Sequence, residues 1–151
     1  MIEIFGSWKF ILVLSNNVKG FSLLSYNGKI SEKVEKLSIN NNKIQINMAL
    51  NYGSRQEILN SVKIIKEKKL SANKKNFEKY LYTNGIPDPD ILIRTGDTQR
   101  ISNFLIWQLV YTEIFFVKKM WPDFTKKDFF KIIDKFKNIS RNFGGLNGGV
   151  K

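Results

Sequence analysis

Short apolar runs alternate with amphipathic stretches along this chain of 151 residues. The clearest runs cover residues 10–14, 44–50, 91–93 and 114–117, and their length is typical of strands. Between several of them, apolar residues recur at the three- to four-residue spacing of a helix. This alternation predicts an α/β fold in which helices flank a mostly parallel sheet. A chain of this length can bury one hydrophobic core.

Two helices are predicted between the second and third runs. Ser54 and Glu57 have the spacing of a capping box, in which a hydroxyl and a carboxylate three residues apart satisfy backbone N–H groups at the helix start. An apolar stripe follows at helical spacing and includes Val62. Residues 66–79 are rich in lysine, and we expect a solvent-exposed surface made of two helices broken near 71–73.

Further helices are predicted in the second half of the chain. Ser102 or Asn103 can cap a helix through 104–110. Thr125 and Asp128 repeat the capping-box spacing and begin an amphipathic helix. The glycine-rich tail after this helix is expected to fray.

Composition excludes several chemistries. The sequence contains neither cysteine nor histidine. A disulfide framework, a Cys/His zinc site, a thiol nucleophile and an imidazole base are therefore ruled out. A metal bound by these side chains is expected to be a hard cation held by carboxylates and hydroxyls, with Mg²⁺ as the leading candidate.

The net charge of +12 comes mainly from lysine. Of the 25 basic residues, four are arginines: Arg55, Arg94, Arg100 and Arg141. A lysine-rich solvated face explains most of this charge, and a basic nucleic-acid-binding module is the alternative. The arginines are more informative, because a planar guanidinium can bind a phosphate through two hydrogen bonds.

One candidate anion site lies where the predicted strand at 91–93 ends. Ligands of open α/β sheets bind at the carboxyl ends of strands. Arg94 leaves the strand there, and Arg100 follows a close turn at Gly96. The helix predicted to begin at Ser102 would add free N–H groups and the positive end of its dipole. Together these groups suit a diphosphate.

Structural roles explain the same residues equally well. Arg94 could pair with Asp97 or Asp90, and Ser102 could be a helix cap only. Glu113 lies between an apolar helix pattern and an apolar strand pattern. We expect it either to face solvent or to meet a cation, which could be magnesium or an arginine.

Six segments follow one another in a recognisable order: 50–58 (LNYGSRQEI), 87–96 (PDPDILIRTG), 99–108 (QRISNFLIWQ), 111–113 (YTE), 121–124 (WPDF) and 141–145 (RNFGG). Together they resemble the C-terminal half of the cis-prenyltransferases, the undecaprenyl diphosphate synthase type. The resemblance divides the chain into a divergent segment 1–42, the C-terminal part of the family's domain at 43–145 and a flexible tail at 146–151.

The resemblance implies a reaction and a site. The family condenses isopentenyl diphosphate onto an allylic diphosphate with Mg²⁺, as a homodimer. By resemblance, isopentenyl diphosphate would be bound by Arg94, Arg100, Ile101 and Ser102, and Mg²⁺ by Glu113, with no residue assigned as catalytic. A cytoplasmic location is expected, with peripheral membrane association through the lipid product and no specific nucleic-acid partner.

Two motifs of the family are absent. This sequence has neither the Asp-Gly-Asn-Gly-Arg motif nor the Ser-x-Glu-Asn-Trp motif, and its first aspartate is Asp88. We therefore expect a truncated or split member without the family's N-terminal strands, which binds isopentenyl diphosphate with little turnover. A non-catalytic binding subunit or an inactive fragment is the alternative.

Overall fold

The structure is a computed structural model that describes residues 2–5, 9–15, 21–24, 40, 45–49 and 51–141, with the backbone alone for the first three ranges. Its strands are β1 (Ile2–Phe5), β2 (Lys9–Ser15), β3 (Phe21–Leu24), β4 (Gln45–Ala49), β5 (Ile91–Arg94) and β6 (Glu113–Phe116). Its helices are α1 (Ser54–Glu67), α2 (Lys74–Glu78) and α3 (Lys126–Lys137), with a 3-10 turn at Trp121–Asp123. The tail predicted to fray lies outside the described residues.

The described strands form one six-stranded sheet in the order β3-β4-β2-β1-β5-β6. Three neighbouring pairs are parallel, whereas β2 runs antiparallel to both of its neighbours. The predicted α/β fold with a mostly parallel sheet is confirmed. Ile91 lies beside Glu113 and Arg94 beside Phe116. Glu113 therefore lies at the amino end of the β5–β6 pair, and Arg94 at its carboxyl end.

The inner face of α1 is polar. Its buried residues are Ser54, Glu57, Ser61 and Ile65, and Val62 is 50% exposed. The capping box predicted at Ser54 is wrong, because Gly53 is the N-cap and no side chain of the box caps the helix. The Ser54 hydroxyl and the Glu57 carboxylate instead accept hydrogen bonds from distant segments.

The break predicted near 71–73 is confirmed. Helix α1 ends at Glu67 and α2 begins at Lys74. The Asn73 side chain caps α2 by accepting a hydrogen bond of 2.9 Å from the Asn76 N–H. This asparagine is a local cap of the ordinary kind.

The second predicted capping box is confirmed at the start of α3. The Asp128 N–H donates to Thr125 Oγ1 at 3.3 Å, and the Thr125 N–H donates to Asp128 Oδ2 at 2.9 Å. Ile132 is buried on the inner face of this helix. Local sequence thus determines both the start and the orientation of α3.

The helix predicted from Ser102 is wrong. Ser102, Asn103 and Leu105 have φ values of 46°, 61° and 39°, which lie in the left-handed region. A right-handed α-helix requires negative φ. Residues 106–111 form hydrogen-bonded turns instead, so this segment adds no helix dipole to the loop after β5.

The described core cluster joins the end of β4, β5 and the turns of 104–109. Its buried members are Ala49, Tyr52, Leu92, Phe104, Leu105 and Leu109. The rings of Tyr52 and Phe104 meet edge to face with centroids 5.6 Å apart. The core therefore supports the loop after β5 from beneath. None of the described helices has the length and apolar character that a membrane span requires.

Candidate functional site

The loop after β5 begins with a buried arginine. Arg94 is 4% exposed, and its Nε donates a hydrogen bond of 2.9 Å to Thr98 Oγ1. Gly96 has a φ of 89°, and its N–H donates to the carbonyl oxygen of Lys119 at 2.8 Å. The Val117 N–H donates in turn to the Arg94 carbonyl oxygen at 2.7 Å. The loop is thus fixed against the segment that follows β6.

Asp90, one of the two partners considered for Arg94, is engaged elsewhere. Its Oδ1 accepts a hydrogen bond of 2.6 Å from Nη1 of Arg141, in a salt bridge. Arg141 also donates to the carbonyl oxygen of Tyr111 at 2.9 Å and lies 5.4 Å from the ring centre of Phe136. Arg141, the last described residue, therefore binds the segments that precede β5 and β6.

The other three predicted site residues lie on the same loop as Arg94 but differ in exposure. Arg100 is exposed, while Ile101 and Ser102 are half-buried. The Ile101 side chain packs against the core cluster. Ile101 therefore anchors the loop, and the groups able to bind an anion are the two guanidinium groups and the Ser102 hydroxyl.

Glu57 is the centre of a buried polar network that sequence reasoning missed. This fully buried carboxylate accepts hydrogen bonds from the Tyr52 hydroxyl at 2.5 Å, the Tyr82 N–H at 2.7 Å and Gln108 Nε2 at 3.3 Å. Gln108 Nε2 also donates to Thr83 Oγ1 at 2.9 Å. The network joins α1 to two loops. The capping-box spacing hid it, because that motif accounts for Glu57 locally.

Burial sets the ionisation of Tyr52. Loss of contact with water, reinforced by the hydrogen bond to Glu57, raises the pKa of the Tyr52 hydroxyl far above its ordinary value. The tyrosine therefore remains a hydrogen-bond donor to the Glu57 carboxylate at physiological pH. The network therefore contains a neutral tyrosine hydroxyl in the core.

Asn103 connects α1 to the arginine loop. The Ser54 N–H donates to the Asn103 carbonyl oxygen at 2.8 Å, and the Arg55 N–H donates to Asn103 Oδ1 at 2.9 Å. The Ile106 N–H donates to Ser54 Oγ at 3.0 Å. Asn103 thus caps a helix, as its residue type predicts, but the helix is α1 rather than one that follows it.

Glu113 lies apart from the arginine loop. It is the first residue of β6, and its N–H donates to the Asp90 carbonyl oxygen at 3.0 Å. Three residue steps separate the two ends of β5, which corresponds to about 10 Å along the sheet. Within the described residues, no three acidic side chains gather in a group that could hold a metal ion.

Two cavities meet at Trp107, whose Nε1 donates to Glu78 Oε1 at 3.1 Å. One cavity of about 380 Å³ is apolar and lies between α1 and Phe77, and the other of about 300 Å³ contains Glu78 and Asp88. Burial first, and the nearby Glu78 second, raise the pKa of the Asp88 carboxyl above its usual range. Sequence patterns gave no sign of either cavity.

The sheet is open and mostly parallel, and an arginine-bearing loop follows the carboxyl end of β5, which is where ligands of such α/β sheets bind. Residues 22–144 match the family described as "Putative undecaprenyl diphosphate synthase". The chain therefore belongs to this family, as the sequence resemblance predicted.

Individual relatives agree with this assignment. The chain is 47% identical over 116 residues to an isoprenyl transferase from Fusobacterium nucleatum, covering 76% of this chain and 50% of the relative. It is similar to a probable undecaprenyl diphosphate synthase from Campylobacter jejuni, with a TM-score of 0.70, 35% identity and coverage of 82% of this chain and 63% of that one.

A plant enzyme is also similar. Lavandulyl diphosphate synthase from Lavandula x intermedia, in complex with dimethylallyl diphosphate, matches with a TM-score of 0.72 and 29% identity over 82% of this chain and 60% of that one. The chain spans about half the length of the curated relatives it matches.

Proposed function

We propose that the loop after β5 binds the diphosphate of isopentenyl diphosphate, and that the chain serves a cis-prenyltransferase reaction. The observation that carries this proposal is Arg94, buried at the carboxyl end of a strand with its Nε held by Thr98. Fixing one nitrogen orients the guanidinium plane, which favours bidentate contact with a phosphate.

The other residues have distinct roles in the proposed site. Arg100 is exposed and supplies a second guanidinium to the same loop. Ser102 supplies a hydroxyl, and Ile101 holds the loop on the core. Two cations and one hydroxyl suit a diphosphate better than the neutral prenyl group, so these residues bind and orient the substrate through its charged end.

We also propose that Mg²⁺ binds at Glu113. Mg²⁺ in proteins commonly uses one or two carboxylates together with phosphate oxygens and water, so Glu113 has suitable donor chemistry. Its place at the amino end of β6 does not bring it to the Arg94 loop. We therefore propose Glu113 as a metal ligand whose other donors come from outside the described residues, and we assign no step to the metal.

Prenyl transfer needs a second set of charges around the allylic diphosphate. No aspartate precedes Asp88 in this sequence, so the family's early Asp-containing motif has no counterpart by residue type. We therefore propose that this chain on its own binds isopentenyl diphosphate but turns it over slowly. The allylic diphosphate is the proposed second substrate of the complete site.

A homodimer is also proposed. Large apolar side chains are exposed on the turns of 105–111 and on the edge strand β6; they are Ile106, Trp107, Val110, Tyr111, Ile114 and Phe116. Exposed apolar groups concentrated in one segment are typical of a protein–protein interface. Val110, which is 68% exposed, offers a clean test, because Val110→Asp should shift a dimer to monomer in light scattering without unfolding the chain.

Calorimetric titration with isopentenyl diphosphate tests the site. Arg94→Ala and Arg100→Ala should each weaken binding by about tenfold or more, since a charge-assisted contact contributes roughly 1.5–3 kcal/mol. Lys131→Ala, which removes an exposed charge from α3, is the control and should leave binding unchanged. If the two arginine variants bind as tightly as the Lys131→Ala control, the proposal is contradicted.

Two further measurements separate the alternatives. Labelled isopentenyl diphosphate with farnesyl diphosphate and Mg²⁺ should give little polyprenyl product from this chain alone, and robust product would contradict the proposed slow turnover. Binding to duplex DNA should be weak and salt-dependent. Tight DNA binding that survives Arg94→Ala combined with Arg100→Ala would favour a nucleic-acid-binding module instead.

A further inference from the structure

The segment between Arg100 and Phe104 has a conformation that needs support. Ser102 and Asn103 are consecutive residues with positive φ, and neither is glycine. Such a conformation is uncommon for residues with a side chain and persists where surrounding contacts determine it. The contacts that hold this turn therefore also determine where Ser102 places its hydroxyl.

Those contacts come from the start of α1. Asn103 accepts two hydrogen bonds from the first N–H groups of the helix, at Ser54 and Arg55. The Ser54 hydroxyl accepts a third from Ile106, on the far side of the turn. Two of these bonds join residues 48 and 52 positions apart in sequence. The turn is thus fixed on both sides to a rigid element.

Gly53 makes this approach possible. A Cβ at position 53 would lie 2.8 Å from Nδ2 of Asn103 and 3.8 Å from its Cγ. The first distance is too short for two non-bonded atoms, and the Asn103 amide is tethered by the Arg55 N–H. The φ of Gly53 is −149°, an extended value that any residue adopts. Glycine is therefore needed here for space and not for its backbone freedom.

We propose that Asn103, seated against Gly53, is a positioning residue for the diphosphate site. It does not itself bind the ligand; it holds the turn that places Ser102 after Arg100. This inference rests on the proposed function, since it assumes that these residues bind a diphosphate. It assigns to α1 the role of a fixed support for the substrate loop.

Titration of the full chain with inorganic pyrophosphate and with isopentenyl diphosphate tests the inference, at a temperature where every variant is folded. Asn103→Gly keeps the left-handed backbone accessible and removes only the amide. We expect it to weaken binding of both ligands by about fivefold to tenfold, the equivalent of one lost hydrogen bond. Gly53→Ala should weaken binding similarly by displacing the amide.

The double variant distinguishes positioning from general destabilisation. Once Asn103→Gly has removed the amide, Gly53→Ala has nothing left to displace, so the double variant should bind as Asn103→Gly does. Asn138→Ala is the matched control, because Asn138 also makes one side-chain hydrogen bond, of 2.8 Å, at a helix end. It should leave affinity unchanged.

The titrations distinguish failure of the proposed diphosphate site from failure of the role assigned to Asn103. If the unsubstituted chain binds neither ligand, the diphosphate site is wrong and the inference falls with it. If the unsubstituted chain binds and Asn103→Gly binds equally well, the inference alone is overturned. It is also overturned if the two substitutions weaken binding independently, because the clash would then not act through Asn103. A lower unfolding midpoint with unchanged affinity would indicate a purely structural role and would overturn it too.

Discussion

Helices α1 and α3 begin with the same sequence motif and use it in different ways. In α3, Thr125 and Asp128 bond to each other's backbone and form a capping box. In α1, Ser54 and Glu57 face the core, and their side chains accept hydrogen bonds from Ile106, Tyr82 and other distant groups. A hydroxyl and a carboxylate three residues apart thus specify a helix start, but tertiary contacts decide which groups they bind.

The largest expected difference between the two helices is at their carboxylates. Glu57→Ala would leave the Tyr82 N–H, the buried Tyr52 hydroxyl and the Gln108 amide short of a partner, and we expect a loss of about 3 kcal/mol or more in the free energy of unfolding. Asp128→Ala should cost clearly less, because its carboxylate is near the surface. Urea denaturation compares the two, and equal losses would contradict the distinction.

The hydroxyls should differ in the same direction. Ser54→Ala leaves the Ile106 N–H without its acceptor and should lower the free energy of unfolding by about 2 kcal/mol. Thr125→Ala removes an exposed cap and should lower it by about 1 kcal/mol. Double variants that combine each hydroxyl substitution with Asn103→Ala test whether the two hydroxyls act in the same turn as Asn103. Ser54→Ala should be non-additive with it, by about 0.5 kcal/mol or more, because both residues hold one turn, while Thr125→Ala should be additive.

Acid titration should detect the capping box of α3 through the pKa of Asp128. Hydrogen bonds from Lys119 and Thr125 lower the pKa of the Asp128 carboxyl well below its ordinary value. A lowered folded-state pKa means that this stabilisation is present above the unfolded-state pKa, about 3.9, and is lost as pH falls through the folded-state value. Lys119→Met should raise the Asp128 pKa, as followed by NMR. An unchanged value would exclude Lys119 as the main cause.

The smallest effect on stability is expected at Asp88, whose carboxylate belongs neither to the capping box of α3 nor to the Glu57 network. Because its pKa is raised, folding favours its protonated form, and its contribution to stability is lost as pH rises through the folded-state value. Burial is the larger cause and Glu78 the smaller one. Glu78→Gln should therefore lower the Asp88 pKa only part of the way to its usual range. A full return, measured by NMR, would assign the shift to charge instead.

Four of the six described strands were predicted from apolar runs, whereas β1 and β3 were not predicted. The apolar runs at 10–14, 44–50, 91–93 and 114–117 all coincide with strands, the last starting one residue earlier at Glu113. The position of Arg94 at a strand end follows directly. The run in β5 suits its position between β1 and β6, where Leu92 and Ile93 are buried, and that requirement can be recognised from a few adjacent residues.

The turn at Ser102 was not predictable in the same way. Residues 104–110 have acceptable helix formers, and nothing local indicates that Asn103 and Leu105 adopt left-handed backbone. Those conformations are compensated by hydrogen bonds to Ser54 and Arg55, almost fifty positions away. Glu113 precedes an apolar run, so its place at the amino end of a strand follows from the sequence, whereas the pairing of that strand with β5 depends on tertiary contacts.

The cap that Asn103 supplies to α1 has a consequence for the order of events during synthesis. The residues of α1 are synthesised before Asn103, which lies 48 positions after Arg55. At a typical elongation rate, the delay is about 2 to 10 seconds. During that interval α1 lacks the cap from Asn103, and Glu57 lacks Gln108, which follows Asn103 in the sequence. The start of α1 is therefore completed only by the second half of the chain.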